Sequence, residues 1–142
     1  MRVFIALTLL ALLAFPAAGD VLIHQVLVDP VGTDTGGEAV ELINTGPDAV
    51  AIGNWWLETQ SSSKDATIPN GTLLLSGAQY LLADAGWSTL RDEPLWRDGD
   101  HEEALTLSND NAGIALHAGD GTIIDRLGWG DPTIIKLHRC GQ

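Results

Sequence analysis

The chain has 142 residues, of which 7 are Lys or Arg and 19 are Asp or Glu, so its formal net charge is −12 at pH 7. That length suits one ordinary domain, and neither an internal repeat nor a linker divides it. A surface this acidic repels nucleic-acid phosphates, so neither DNA nor RNA is expected as a partner. The charge suits cations or basic partners, although solubility alone explains it equally well.

The first 19 residues are not expected to belong to the fold. Arg2 supplies a positive charge, an apolar run extends from Val3 to Phe15, and the small-residue stretch PAAG follows. That order is typical of a secretory signal peptide, which predicts a mature N-terminus at Asp20. An uncleaved anchor is the alternative, but the apolar run is short for a membrane span. The sequence therefore predicts a secreted, extracellular or cell-surface protein, whose mature chain has no transmembrane span.

The stretch EAVELINTGPDAVAIGNWWL contains the strongest strand pattern. In it, Val40 and Leu42 share one face and Glu41 lies on the other, which is typical of a strand with one buried face. Residues of the NTGP turn then interrupt the pattern, each through its own backbone preference. We expect Trp55 to lie inside the core and Trp56 to be partly exposed, because one large ring can fill the centre of a small sandwich.

Short apolar segments with period-two alternation recur along the rest of the chain. The predicted strands are Val21–Val28, Gln79–Ala83, Leu105–Leu107, Gly113–His117 and Thr122–Leu127. The first alternates apolar residues on both faces and is expected to be covered on both sides. Pro69–Thr72 is predicted as a turn between two further strands, and Asp84–Glu103 as a long connection with a short helical turn. No long helix is indicated, so the predicted fold class is an all-β sandwich or barrel.

Several short motifs, in this order and spacing, resemble the lamin tail domain family. The family pattern reads E-L-x-N and then L-x-G-W-x-L, and the corresponding motifs here are ELIN, IGNWWL, IPNGT, LSGAQY, LSN and GTIID. The resemblance extends from about Val21 to Trp129. Two departures are Asn54, where the family usually has glycine, and Gln25, where it often has glutamate.

The resemblance implies an immunoglobulin-like antiparallel β-sandwich and a non-catalytic interaction module, similar to the secreted type found in prokaryotes. The residues themselves also point away from an enzyme, because the sequence contains neither G-x-S-x-G nor H-E-x-x-H. Acidic residues are frequent, but they fall in predicted loops where no apolar pocket is evident to raise the pKa of a carboxyl group. No cofactor is therefore predicted with certainty.

Calcium is the one metal that the sequence suggests. Asp29, Asp34 and Glu38 flank a Gly-rich loop, and a D-G-D turn presents Asp98 and Asp100. Hard oxygen ligands on flexible loops suit Ca²⁺ rather than Zn²⁺. The EF-hand pattern is not met, and Asp and Gly also occur together simply because they favour turns. Calcium binding at these carboxylates is thus a hypothesis beside that simpler explanation.

Two isolated residues carry chemistry of their own. Cys140 is the only cysteine, so it is either a free thiol or the link to another chain in an oligomer. Asn70 begins an N-G-T sequence, which is an N-glycosylation acceptor in a predicted exposed turn. The turn preference of Asn-Gly explains that sequence equally well.

Two functions are compatible with these features. The first is a secreted interaction module that binds a surface protein or a glycan through its loops. The second is a structural or assembling surface subunit, joined by strand edges or through Cys140. A long, exposed, apolar edge strand would favour assembly, whereas protected edges would favour the binding module.

Overall fold

The fold is that of a computed structural model, which describes residues 20–130. The predicted signal peptide and Cys140 lie outside these residues. The elements are β1 (Val21–Leu27), β2 (Ala39–Asn44), β3 (Val50–Ala51), β4 (Trp56–Thr59), β5 (Ala66–Thr67), β6 (Leu73–Leu74), β7 (Gln79–Ala83), α1 (Trp87–Leu90), β8 (His101–Glu102), β9 (Ala112–His117) and β10 (Ile123–Trp129). The short helix falls inside the connection where a helical turn was expected.

Two four-stranded sheets form the body of the domain. The first has the order β1-β2-β7-β8, the second has the order β10-β9-β4-β5, and β3 pairs with β6 beside them. Buried residues of both sheets share one core, which confirms the predicted β-sandwich. Within residues 20–130, every ladder is antiparallel except that between β7 and β8. This parallel pair requires a crossover, and residues 84–100 supply it.

Strand β2 follows the alternation that its sequence predicts. Val40 and Leu42 point between the sheets and are fully buried with Leu57 and Leu116 of the second sheet. Trp55 is 5% exposed and lies in the same core, whereas the side chain of Trp56 is half-buried. Both tryptophan predictions are confirmed.

The prediction that the first strand is covered on both faces is wrong. Leu22 is 39% exposed, and His24 and Gln25 are also exposed. β1 is an edge strand, and its register against β2 shifts between Ile23 and Gln25. Such a bulge places an extra residue on one strand, so strict alternation does not continue through it.

The turn predicted at residues 69–72 is present, but the strands on either side of it do not pair with each other. The strand before it, β5, pairs with β4, while the strand after it, β6, pairs with β3. The turn therefore links two different sheets. Asn70 is exposed and its side-chain oxygen accepts a hydrogen bond from Asn54 Nδ2 at 3.1 Å, and glycosylation of Asn70 stays a prediction.

Asn54 adopts a backbone conformation that explains why the family pattern usually has glycine at this position. Its φ is +65°, in the left-handed region that most side chains disfavour. Asparagine tolerates this region better than other non-glycine residues because its short polar side chain can form local hydrogen bonds. The departure at Asn54 therefore preserves the turn before Trp55.

The segment Leu105–Leu107 is not a strand, contrary to the prediction. Its backbone is irregular, although Leu105 and Leu107 are buried. The N–H groups of these two leucines donate to carboxylates of Asp84 and Glu38 instead of to a neighbouring strand. Two buried acidic side chains thus supply the acceptors that a sheet ladder would have provided.

Candidate functional site

A second, smaller apolar cluster covers part of the outer face of the first sheet, which is the face directed away from the sandwich core. Ala39, Leu81 and Ala83 of the sheet pack there against Trp87, and Trp96 packs on the same cluster. Both tryptophans belong to residues 84–100, which we call the covering segment. Their rings meet edge to face, with centroids 5.9 Å apart.

Polar contacts fix the covering segment in this position. The indole N–H of Trp87 donates to the backbone oxygen of Arg97 at 2.9 Å. Arg91 pairs with Asp98 at 2.7 Å, and its guanidinium lies 5.8 Å from the ring centroid of Trp87. These contacts join the two ends of the segment across its buried tryptophan.

Beside the covering segment, the outer face forms an open cleft of about 430 Å³. We call it the outer-face cleft. Three side chains come from neighbouring strands and three from the covering segment: Gln25, Glu41, Gln79, Leu95, Trp96 and Arg97. Cavities of about 300–1,000 Å³ that combine apolar walls with a few polar groups are typical of small-molecule sites.

Glu41 is the buried acidic residue of this cleft. It is directly opposite Gln25 on β1 and Leu81 on β7. Its Oε1 accepts a hydrogen bond from Nε2 of Gln25 at 3.0 Å, and its Oε2 lies 3.7 Å from Nε of Arg97. A glutamate at position 25 would place a second carboxylate beside Glu41, so the amide of Gln25 suits this particular cleft.

Arg97 is held by acidic groups on several sides. Its guanidinium donates to Oδ2 of Asp100 at 2.6 Å and to the backbone oxygen of Asp98 at 3.3 Å. The hydrogen bond to Asp100 raises the pKa of Arg97, and the charge of Glu41 acts in the same direction. Arg97 therefore stays charged, and its charge is balanced by groups of the protein itself.

A second, smaller cavity lies where the loop after β1 meets the irregular segment after β8. It has a volume of about 260 Å³, and Asp34, Glu38 and Asp84 line it together with residues 105–107. We call it the carboxylate cavity. Asp84 accepts hydrogen bonds from the backbone N–H groups of Gly36 and Leu105, so it joins both loops to the end of β7.

Glu38 in this cavity corrects the expectation that no pocket raises the pKa of a loop carboxyl group. It is 4% exposed, and burial raises its pKa to about 7. The N–H of Leu107 opposes this shift by donating to Oε2, while the nearby charges of Asp84, Asp34 and Asp65 add to it. The sequence pattern alone could not show that this loop carboxylate would be covered by residues from the far end of the chain.

The five carboxylates considered for calcium do not form one group. Asp29 and Asp34 both accept from the side-chain amide of Asn109, at 3.5 and 3.3 Å. Glu38 is buried in the carboxylate cavity, which Asp34 also lines. Asp98 and Asp100 instead pair with Arg91 and Arg97. Across residues 20–130 no three His, Cys, Asp or Glu side chains are grouped closely enough to hold a metal ion.

Calcium binding stays a prediction that a melting experiment decides. If the loop holding Asp29 and Asp34 binds Ca²⁺, millimolar Ca²⁺ should raise the melting temperature more than Na⁺ at matched ionic strength, because a ligand of the folded state stabilises it by mass action. Screening alone acts without a fixed stoichiometry. Asp29→Asn with Asp34→Asn should abolish the difference, and Asp98→Asn with Asp100→Asn is the comparison at the other loop. Equal shifts with both ions would refute the calcium hypothesis.

The residues of the outer-face cleft were not recognised as a site from sequence. Alternation correctly places Glu41 on the face opposite Val40, but that pattern alone suggests an exposed glutamate. The apolar residues Trp87, Leu95 and Trp96, within an otherwise polar and acidic connection, are the signal that this segment covers something. Period and spacing do not say which sheet face it covers.

Comparison with known proteins agrees with the fold. The profile of the Lamin Tail Domain family matches residues 14–131. No curated protein matches the chain at a significant level. Among residues 20–130, no helix has the length and apolar character needed to cross a membrane. Because the family match covers most of the sequence and the two packed sheets agree with it, this chain belongs to the lamin tail domain family, whose members are immunoglobulin-like, non-catalytic domains.

Proposed function

We propose that the protein is a secreted or cell-surface interaction module that binds a protein or glycan partner in the outer-face cleft. The cleft itself is the observation that carries this proposal. It combines a packed tryptophan, an exposed leucine and four polar side chains, three of which come from neighbouring strands of the first sheet. Binding sites commonly have this composition, in which apolar groups supply contact area and a few polar groups fix orientation.

The position of Leu95 supports the same reading. Its side chain is 94% exposed, next to Trp96 at the cleft. A single exposed leucine is ordinary on a protein surface, but one beside an aromatic ring and a polar cleft adds apolar area where a partner would contact. The covering segment therefore offers both a wall and a rim for a ligand.

The edges of both sheets argue against assembly by strand addition, which is the alternative function. Along the edge of β1, the N–H of Ile23 donates to Oδ2 of Asp125 in β10 at 2.8 Å. Both β1 and β10 carry a register shift there, and the opposite edges, β5 and β8, have two residues each. Short, bulged or covered edges resist pairing with another chain. An oligomer linked through Cys140 remains the second candidate, tested by gel electrophoresis without reductant.

The proposed binding surface is tested by a charge placed on its rim. We expect Leu95→Asp to abolish capture of the partner by immobilised protein, in screens of extracellular proteins and of arrayed glycans, because it puts a charge into an apolar contact. Val31→Asp is the matched control, since Val31 is 82% exposed on a different loop and the added charge is the same. Equal capture by both variants and the original protein would refute the cleft as the binding surface.

Secretion is tested separately, through the N-terminus of the mature protein. The order of charge, apolar run and small residues in the first 19 residues supports export and cleavage before Asp20. Mass spectrometry of protein recovered from the extracellular fraction should therefore give a chain beginning at Asp20. Secreted material that retained Met1 would contradict this expectation.

A further inference from the structure

We propose that the outer-face cleft accepts an uncharged sugar unit of a glycan. This inference rests on the proposed function, because it specifies the ligand of the same cleft. Three properties of the lining residues lead to it: their charge balance, their hydrogen-bonding groups and the position of the tryptophan ring.

The charge balance of the cleft disfavours an ionic ligand. Its one cation, Arg97, already lies beside Glu41 and is hydrogen-bonded to Asp100, so no unpaired positive group is available for an anion. The net charge of −12 also repels anions. A cationic ligand would compete with Arg97 for a carboxylate that is already paired and nearly buried, and would lose its own hydration. A neutral ligand incurs neither cost.

The available polar groups match hydroxyl groups, which both donate and accept hydrogen bonds. The side chain of Gln79 is exposed and makes no hydrogen bond to another residue within 20–130. Gln25 uses one amide N–H on Glu41, so its oxygen and second N–H stay available. Amide side chains offer donors and an acceptor together, whereas a carboxylate or a guanidinium offers only one kind.

Trp96 supplies the apolar side of such a site. Its edge-to-face contact with Trp87 and its packing on the outer-face cluster hold the ring in place, so little side-chain entropy remains to be lost on binding. The ring plane of a sugar has an apolar C–H face that packs on aromatic surfaces. With an adjacent volume of about 430 Å³, the cleft has room for a sugar ring beside the indole.

Affinity electrophoresis tests the inference with the purified protein. The gels contain soluble neutral polysaccharides, namely glucans, mannans, xylans and galactans, and in parallel the anionic polymers alginate and heparin. We expect at least one neutral polymer to retard the protein and neither anionic polymer to do so. Trp96→Ala should raise the dissociation constant for that polymer, as measured from the retardation, by about tenfold, because the variant loses an aromatic anchor.

Matched variants separate binding from folding. Gln79→Ala removes an exposed amide that has no hydrogen-bond partner among residues 20–130, so it should weaken binding by about threefold to tenfold while leaving the melting temperature unchanged. Gln60→Ala, at an exposed glutamine in the loop after β4, is the control for Gln79→Ala. Trp56→Ala on the second sheet is the control for Trp96→Ala. Both controls should bind as the original protein does.

The saccharide inference is overturned if no neutral polymer retards the protein, if alginate or heparin binds equally well, or if Gln79→Ala and Trp96→Ala both bind normally. A protein partner whose capture is abolished by Leu95→Asp would then leave the proposed function standing without the sugar. If Leu95→Asp has no effect on capture either, both proposals fail.

Discussion

Trp55→Ala should lower the free energy of unfolding by about 3–5 kcal/mol, the loss typical of truncating a large buried aromatic residue. Trp55 is 5% exposed and lies among buried residues of both sheets. Its backbone N–H also closes the turn that precedes β4, because it donates to the backbone oxygen of Ile52 at 3.1 Å. Side-chain truncation should leave that bond in place but open a cavity between the sheets. Urea unfolding followed by circular dichroism measures the change.

The neighbouring tryptophan is the matched control for this experiment. Trp56 is half-buried, with its ring stacked on His117 at a centroid distance of 5.1 Å and Lys64 Nζ 4.9 Å from its centroid. Its truncation removes surface contacts rather than core volume, so Trp56→Ala should lose about 1–2 kcal/mol. If the two alanine variants were equally stable, Trp55 would not be the centre of the core.

Glu38→Gln should stabilise the protein at pH 8 by up to about 3 kcal/mol and have little effect near pH 4.5. The pKa of Glu38 is about 7 in the folded protein and 4.5 for an unperturbed glutamate. The folded state therefore binds more protons than the unfolded state between these values, and stability falls as pH rises through the interval. Glutamine removes the buried charge while its side-chain oxygen can still accept from the N–H of Leu107.

The measurement is a set of urea unfolding curves from pH 4.5 to pH 8 for the original protein and the variant. Asp48→Asn is the matched control, because it removes the same charge from an exposed side chain. Its difference from the original protein should stay within about 0.5 kcal/mol across the range, as for most surface substitutions. A Glu38→Gln difference that is constant with pH would show that Glu38 does not titrate in this window.

Both cavities form where the chain is not a continuous strand. At these places, carboxylate side chains accept backbone N–H groups, and the covering segment crosses the outer face of the first sheet. Asp84 and Glu38 hold residues 105–107 in position, and Asp100 accepts from the N–H of Leu81 at 2.7 Å where the covering segment returns to the sheet. These contacts bring β8 alongside β7 in parallel. The cleft exists because the segment that makes this crossover packs its tryptophans over only part of the sheet.

Local pattern was sufficient for the central strands and insufficient at the edges. The alternation around Val40 and Leu42 correctly gave the buried face of β2, because β2 has partners on both sides and a regular register. In β1, the same reasoning failed at Gln25, where a bulge shifts the register. The turn at residues 69–72 was recognised from its residues, but the partners of its flanking strands were not, since pairing depends on distant segments.

The sequence by itself determined the fold class, the family and the burial of Trp55, because these follow from alternation, turn residues and motif order along the chain. Only the tertiary structure decided which acidic residues are buried and where the cleft lies. The burial of Glu41 and Glu38 becomes evident only in the folded structure, where Arg97 and Leu107, which are distant in sequence, lie against them. Desolvation and charge pairing depend on distance in space, and a one-dimensional pattern does not contain those distances.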